Sequence, residues 1–335
     1  MFWYTVRRFN LFIITLMILT LVGFSLLRLD PLSHWANVDF WSGWQTYLIN
    51  LSQLDFGISK NGNAIYDELA VVFPATLELC FFAFLVSLLI GIPLGTVAGM
   101  KQGKWLDTSI SFMSMSGYSA PIFWVALLLI MVFSLEYQLF PVAGRYDLLY
   151  EIDHVTGFAI IDAFMAKGEY RAHALQSVIE HMVLPCLVLA LAPTTQVVGL
   201  MRSSVAEVMS QNYIRAARIK GLSNREIVTQ HVLRNAIPPI IPKVGVQLSS
   251  MITLAIITES IFNWPGIGRW LLDALASQDY ASIQAGVMVL ATLVLTANIL
   301  SDLIGAMINP LVRKEWYARC QKRTTSMPFF HPSQT

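Results

Sequence analysis

The chain has 335 residues, of which 56% are hydrophobic and only 13% charged, and its formal net charge is +1. Its mean hydropathy is +0.59. An ordinary soluble domain carries roughly 25% charged residues, so this chain has too little charge to cover a water-soluble globule. The composition also excludes a disordered chain, a coiled coil and a basic nucleic-acid binder, and no nucleic-acid partner is expected.

Six apolar stretches are long enough to cross a bilayer as helices, which takes about 20 residues. In chain order they run Leu11–Leu27, Ala75–Met100, Ser109–Leu135, Met182–Met201, Ile237–Phe262 and Ile283–Ile308. Arg7 and Arg8 precede the first, as in a signal peptide. That stretch is long for a signal, no small-x-small cleavage site follows, and it is read as a retained helix. The segment from Arg28 to Pro74 carries Trp35, Trp41 and Trp44, and Phe40 to Leu54 is expected to form a short helix lying on the membrane. In the second span Gly91, Gly95 and Gly99 share one helix face, which permits close helix packing. Pro93, Pro121, Pro185, Pro193, Pro238, Pro239 and Pro242 predict kinked, mobile helices. The segment from Glu136 to His181 carries Asp147, Glu151, Asp153, Asp162 and Glu169. This acidic surface either is a solvated face or meets a partner or a cationic ligand.

Orientation follows from Lys and Arg, which accumulate on the cytoplasmic side. With the N-terminus inside, the inner segments hold fifteen Lys/Arg against four Asp/Glu, and the outer segments six against fourteen. The expected organisation is a cytoplasmic N-terminus (1–8), a six-helix membrane domain (9–308) and a cytoplasmic tail (309–335). Outer loops fall at about 28–74 and 136–181, and a long inner loop at about 202–236. Glu78, Lys243, Glu259 and Asp302 remain inside the spans. Charges there face a bundle interior or a cavity. Either Lys243 snorkels and the acids pair with neighbouring helices, or the acids mark a polar pathway.

Familiar catalytic constellations are missing. Gly99 to Trp105 is one residue short of a phosphate-binding loop and lacks its Ser/Thr. Gly266, Gly268 and Arg269 open like a dinucleotide fingerprint, with no final Gly and no preceding strand. The six histidines show no metal spacing. Cys80, Cys186 and Cys320 suggest no disulfide framework. The chain is expected to be no enzyme and to hold no cofactor or metal.

The inner loop is the most informative segment. Val205 to Lys220 reads as a basic helix stopped by Gly221. Ser223 can cap a second helix, with Glu226 three residues on as in a capping box, and Pro238 and Pro239 end that region. Ala216 and Ala217 leave a bare surface ringed by Arg215, Arg218 and Lys220. Such a loop either docks a partner or rests on anionic headgroups.

The pattern of Ala216, Ala217 and Gly221 resembles the "EAA" coupling loop of ABC importer permeases. Arg215 stands where the general motif has Glu, and the closing Pro comes late, at Pro238. In both respects Tyr213 to Ser223 and His231 to Pro239 are similar to the dipeptide/oligopeptide/nickel branch. Further blocks resemble that branch in the same order: Leu54 to Ser59, Phe73 to Leu79, Ser119 to Trp124, Leu139 to Gly144, His181 to Pro185 and Glu259 to Arg269. Gly144 to Glu151, with Trp316 and Tyr317, looks like the branch's antimicrobial-peptide-resistance subgroup.

The resemblance implies an all-α, six-helix type I importer permease, N-in and C-in, in the bacterial inner membrane. It implies a homologous second permease, two cytoplasmic ATPases carrying ATP and Mg, a periplasmic substrate-binding protein and the surrounding lipid as partners. Peptides are the implied solute, with export of putrescine or another polyamine as the alternative. A gradient-driven secondary transporter would favour an inverted repeat, and no convincing one is visible. By the resemblance Arg215, Ala216, Ala217, Gly221 and Leu222 contact the ATPase, and Arg234 and Asn235 brace the loop. Glu78, Glu259, Asn263 and Asp302 are the candidates for a path or gate; for Glu259 and Asn263 a cap joining the fifth span to the outer loop is the competing reading.

Overall fold

Each apolar stretch folds as helix in a computed structural model, which describes residues 2–29, 33–150, 152–166 and 170–308. The tail 309–335, with Trp316, Tyr317 and Cys320, lies outside the described residues, as does the side chain of Asp302 on the last helix. In chain order the helices are α1 (Phe2–Leu27), α2 (Phe40–Ser52), α3 (Ile65–Met100), α4 (Trp105–Ser119), α5 (Ile122–Leu129), α6 (Ala159–Met165) and α7 (Arg171–Met209). The coupling loop follows as α8 (Asn212–Ile219), α9 (Asn224–Glu226) and α10 (Leu233–Ala236), then α11 (Ile241–Ile261), α12 (Ile267–Ala276) and α13 (Tyr280–Ile308). π-type turns extend α5 over Ile130–Glu136 and join α9 to α10 over Ile227–Val232. Among the described residues the only extended pairing is one bridge, between Ile58 and Ala64.

Four helices are long and apolar enough to cross a membrane singly: Thr5–Leu27, Ile65–Met100, Arg171–Met209 and Tyr280–Ser301. With 21 residues α11 is about 31 Å long, close to the hydrocarbon thickness. The third stretch differs from the expected single span. α4 and α5 meet at 100°. Pro121 lacks an N–H and forces the preceding residue out of the helical region, and Ala120 sits at ψ 131°. Pro93, Pro185 and Pro193, by contrast, lie inside helices that continue through them. Pro242 falls in the first turn of α11, where a missing N–H costs nothing. α2 forms where a short helix is expected, its N-terminus closed by the Asp39 carboxylate accepting from the Trp41 and Ser42 amides, both at 3.2 Å.

α3 and α7 form the spine. In lipid, helices associate through close packing rather than a hydrophobic drive, so small residues belong at the contact. A Cβ on Gly91 would stand 2.7 Å from the Val197 Cβ; one on Gly95, 2.5 Å from the Met201 Cβ; one on Gly99, 2.7 Å from the Arg202 carbonyl. The glycine stripe is thus spent within the chain. Around it Leu79, Ala83, Leu189, Met251 and Trp264 form the main buried cluster. At the cytoplasmic end Asp107 on α4 takes an ion pair from the Arg202 guanidinium on α7, with Nη2 at 2.9 Å, and accepts the Gly103 amide at 2.9 Å.

Candidate functional site

The coupling loop is built from local rules. Ser210 returns its hydroxyl to the Glu207 carbonyl at 2.7 Å, and Gln211 is extended at ψ 146°. The expected single helix over Val205–Lys220 is therefore two: the end of α7 and a separate α8. The competition is intrinsic to Ser, whose hydroxyl bonds nearby backbone. α8 ends in a Schellman motif: Leu222 N–H reaches the Ala217 carbonyl (3.3 Å) and Gly221 N–H the Arg218 carbonyl (3.0 Å). Gly221 has φ +82°, where an L side chain is strained. Ser223 and Glu226 form the expected capping box. Those hydrogen bonds from Ser223 hold the Glu226 carboxyl below its ordinary range.

One face of the loop is core. Ile214, Ala217, Ile227, Val232 and Ala236 pack on Val197, Met201 and Val205 of α7. Ala217 is 7% exposed and Ala216 is exposed, so the bare surface expected of both alanines is offered by Ala216. Three residues after Ile214, Ala217 falls on the inward face. Leu222 is half-buried against the same cluster. Arg215, Ala216, Arg218, Gly221, Arg234 and Asn235 are exposed. Asn235 Nδ2 donates to the Tyr213 hydroxyl at 3.1 Å and to the His231 carbonyl at 2.9 Å, tying α10 to α8. Ile219 is 87% exposed between Arg218 and Lys220. The sequence reading missed it, although a lone Ile on the polar side of an amphipathic helix is a visible signal.

At the outer end two carboxylates are sealed. Glu78 on α3 is 2% exposed and pairs with Arg145, itself buried, at 2.5 Å. Glu78 also accepts the Ala159 and Ile160 amides (3.2 and 2.9 Å), closing the N-terminus of α6. Arg145 donates to the Gly157 carbonyl at 2.7 Å, and its guanidinium lies 5.8 Å from the Trp264 ring centre. Glu259 at the end of α11 is 0% exposed. It accepts the Thr76 hydroxyl (2.6 Å) and the Gly268 and Arg269 amides (2.8 and 3.2 Å), closing the N-terminus of α12. A Cβ on Gly266 would stand 2.3 Å from that carboxylate. The glycines that mimic a dinucleotide fingerprint thus make room for Glu259. Asn263 has φ +51°, and its carbonyl accepts from Arg269 at 3.2 Å. Of the four path candidates, Glu78, Glu259 and Asn263 gather at this end, while Asp302 lies on α13. Arg145 and Thr76 were missed, because no local pattern joins residue 78 to 145 or 76 to 259.

An all-helical bundle with several membrane-length helices and a capped, basic two-helix loop has the make-up of a membrane-embedded subunit. Residues 91–314 match the family model for the binding-protein-dependent transport system inner membrane component. The chain belongs to this family of inner-membrane ABC permeases. It is 51% identical over 316 residues to the peptide transport system permease protein SapB of Salmonella typhimurium (94% of this chain, 98% of that protein). It is 49% identical, with the same coverage, to the putrescine export system permease protein SapB of Escherichia coli K12. To the di/tripeptide transport system permease protein DppB of Pseudomonas aeruginosa it is 36% identical (92% of this chain, 98% of that protein). An inward-facing structure of the MetNI methionine ABC transporter shares the fold, with a TM-score of 0.52 at 14% identity, covering 70% of this chain and 93% of that one.

Proposed function

We propose that this chain is one of two permeases that form the path of an ATP-driven peptide transporter, and that it does no chemistry itself. The observation that carries this reading is the coupling loop. Its caps and buried face make a stiff body fixed to α7, and it turns Arg215, Ala216, Arg218 and Ile219 outward. That surface suits a groove on an ATPase subunit, with Ile219 as an apolar knob inside a basic rim. Arg234 and Asn235 brace it, and Gly221 and Leu222 set its turn. ATP and Mg belong to the two partner ATPases; a homologous second permease and a periplasmic binding protein complete the system. Glu78, Glu259 and Asn263 hold the outer mouth by closing α6 and α12, and Asp302 stays a candidate path residue on α13. Peptide as solute is supported by the names of the SapB and DppB relatives. Putrescine export is the second reading, carried by the name of the E. coli relative.

The test is gentle purification from the native membrane with identification of co-purifying proteins. A second permease and ATPases are expected; a reproducibly ATPase-free preparation would move the assignment to a gradient-driven carrier. In the complex, Gly221→Trp and Ile219→Asp should abolish solute-stimulated ATP hydrolysis while leaving more assembly than activity. Normal stimulation in both variants would remove the loop from the coupling role.

A further inference from the structure

On the membrane-embedded part of the chain, α11 exposes Val246, Ser250, Thr253, Ile257 and Ser260. Their spacing of four, three, four and three residues puts them on one helical face. Beside this stripe, between α11, α7 and the α4 tyrosine Tyr118, lies a cavity of about 330 Å³. Gln196 from α7 and Gln247 from α11 line it, and their amides are hydrogen-bonded, Gln247 Nε2 donating to Gln196 Oε1. Gln247 is only 8% exposed. That one bond uses only part of what two primary amides can donate and accept, so the pair retains amide C=O and N–H capacity beside the cavity. Polar side chains are costly against lipid, so this face does not suit the hydrocarbon.

We infer that the Gln196–Gln247 pair, with Ser250 and Thr253, is this chain's solute-contacting wall and takes a peptide bond rather than a charged group. A peptide group presents one C=O and one N–H, the complement of a side-chain amide's N–H and C=O. A diamine would need carboxylates. None lines the cavity, and the two outer carboxylates, Glu78 and Glu259, are sealed by their own partners. This inference rests on the peptide-permease reading above and adds the residues and the chemistry of selection.

The experiment uses the assembled complex in proteoliposomes, in a background lacking Cys80, Cys186 and Cys320. Ser250→Cys and Thr253→Cys should react with a charged, membrane-impermeant thiol reagent, change in rate with ATP, and be protected by trialanine. Leu89→Cys, on an exposed apolar face of α3, should stay unreactive. Gln247→Leu should lower trialanine uptake roughly tenfold, equivalent to ~1.4 kcal/mol, and erase discrimination against its backbone N-methylated analogue. A purely structural role would lower the uptake of both peptides alike and leave their ratio unchanged, which overturns the inference. So does failure of both thiols to react in either nucleotide state, even if trialanine is transported; the peptide reading then survives alone. Reactive thiols with no trialanine uptake by the parent complex would leave the wall in place and overturn its peptide selectivity together with the peptide reading.

Discussion

At the outer end, two carboxylates with almost no exposure are tied across long sequence distances: Glu78 closes α6 from α3, and Glu259, which closes the following α12, is held by Thr76 of α3. At the cytoplasmic end, the coupling loop closes its helices with neighbours: Gly221 with the last turn of α8, Ser223 with Glu226. The outer end is held by desolvated charge, which is worth much when complete and expensive when broken. The inner end is held by exposed backbone caps, each worth about a kcal/mol, and by an apolar face packed on α7. A surface that must engage and release a partner gains from the second arrangement, because no buried charge is uncovered when it moves.

Breaking the outer node should have the largest effect. Glu78→Ala leaves Arg145 charged, buried and unpaired, and should cost about 3–5 kcal/mol, read as a fall in the thermal midpoint of the purified chain in detergent. The double variant Glu78→Leu, Arg145→Met should cost less than the single one, although the α6 amides still lose their acceptor. An equal or smaller loss from Glu78→Ala alone would contradict the buried-pair account. Next comes the spine that joins the two ends. Gly95→Ala drives a methyl onto the Met201 Cβ and the Val198 carbonyl and should cost about 1–3 kcal/mol. Gly199→Ala, on the same α7 but with open space around it, should change the midpoint little; equal effects would remove the close approach as the cause. The smallest effect belongs to the inner caps. Ser223→Ala should cost about 1 kcal/mol, seen as faster amide exchange confined to α9. The pH dependence has a definite sign. Glu226 has a folded pKa below its ordinary 4.5. Its cap is fully present above that value and is lost as pH falls through the lowered one. Exchange at the Ser223 amide, corrected for intrinsic rate, should therefore rise only in the acid range, and Glu226→Gln should remove that rise.

What could be read from the sequence follows the same divide. The capping box and the Gly221 stop depend on residues three or four apart, and the helix-terminus rules state them directly. The six apolar segments were equally plain, because length and hydropathy decide them. The break at Pro121 was visible as a proline yet hidden in an apolar window that runs through it. Ala216 and Ala217 looked equivalent; only the packing of α8 on Val205 and Ile227 distinguishes exposed from buried. Glu78 was noticed as a charge in a span, but its partner is 67 residues away, and no periodicity connects them. The Glu259 to Arg269 block was recognisable as a family pattern, while the reason for its glycines needed the position of the carboxylate.

The length of α7 has a mechanical corollary. Its 39 residues make a rod of about 58 Å, nearly twice the hydrocarbon thickness. It carries the coupling loop at one tip and packs against α6 near the other. Inside it, Pro185 and Pro193 are the positions that cannot donate a backbone hydrogen bond. A push at Met209 would first meet the half of the rod that Gly91, Gly95 and Gly99 hold close to α3. Flexure in the rod is expected at those two prolines, which divide it into an outer arm (171–185) and an inner arm (193–209) of similar length.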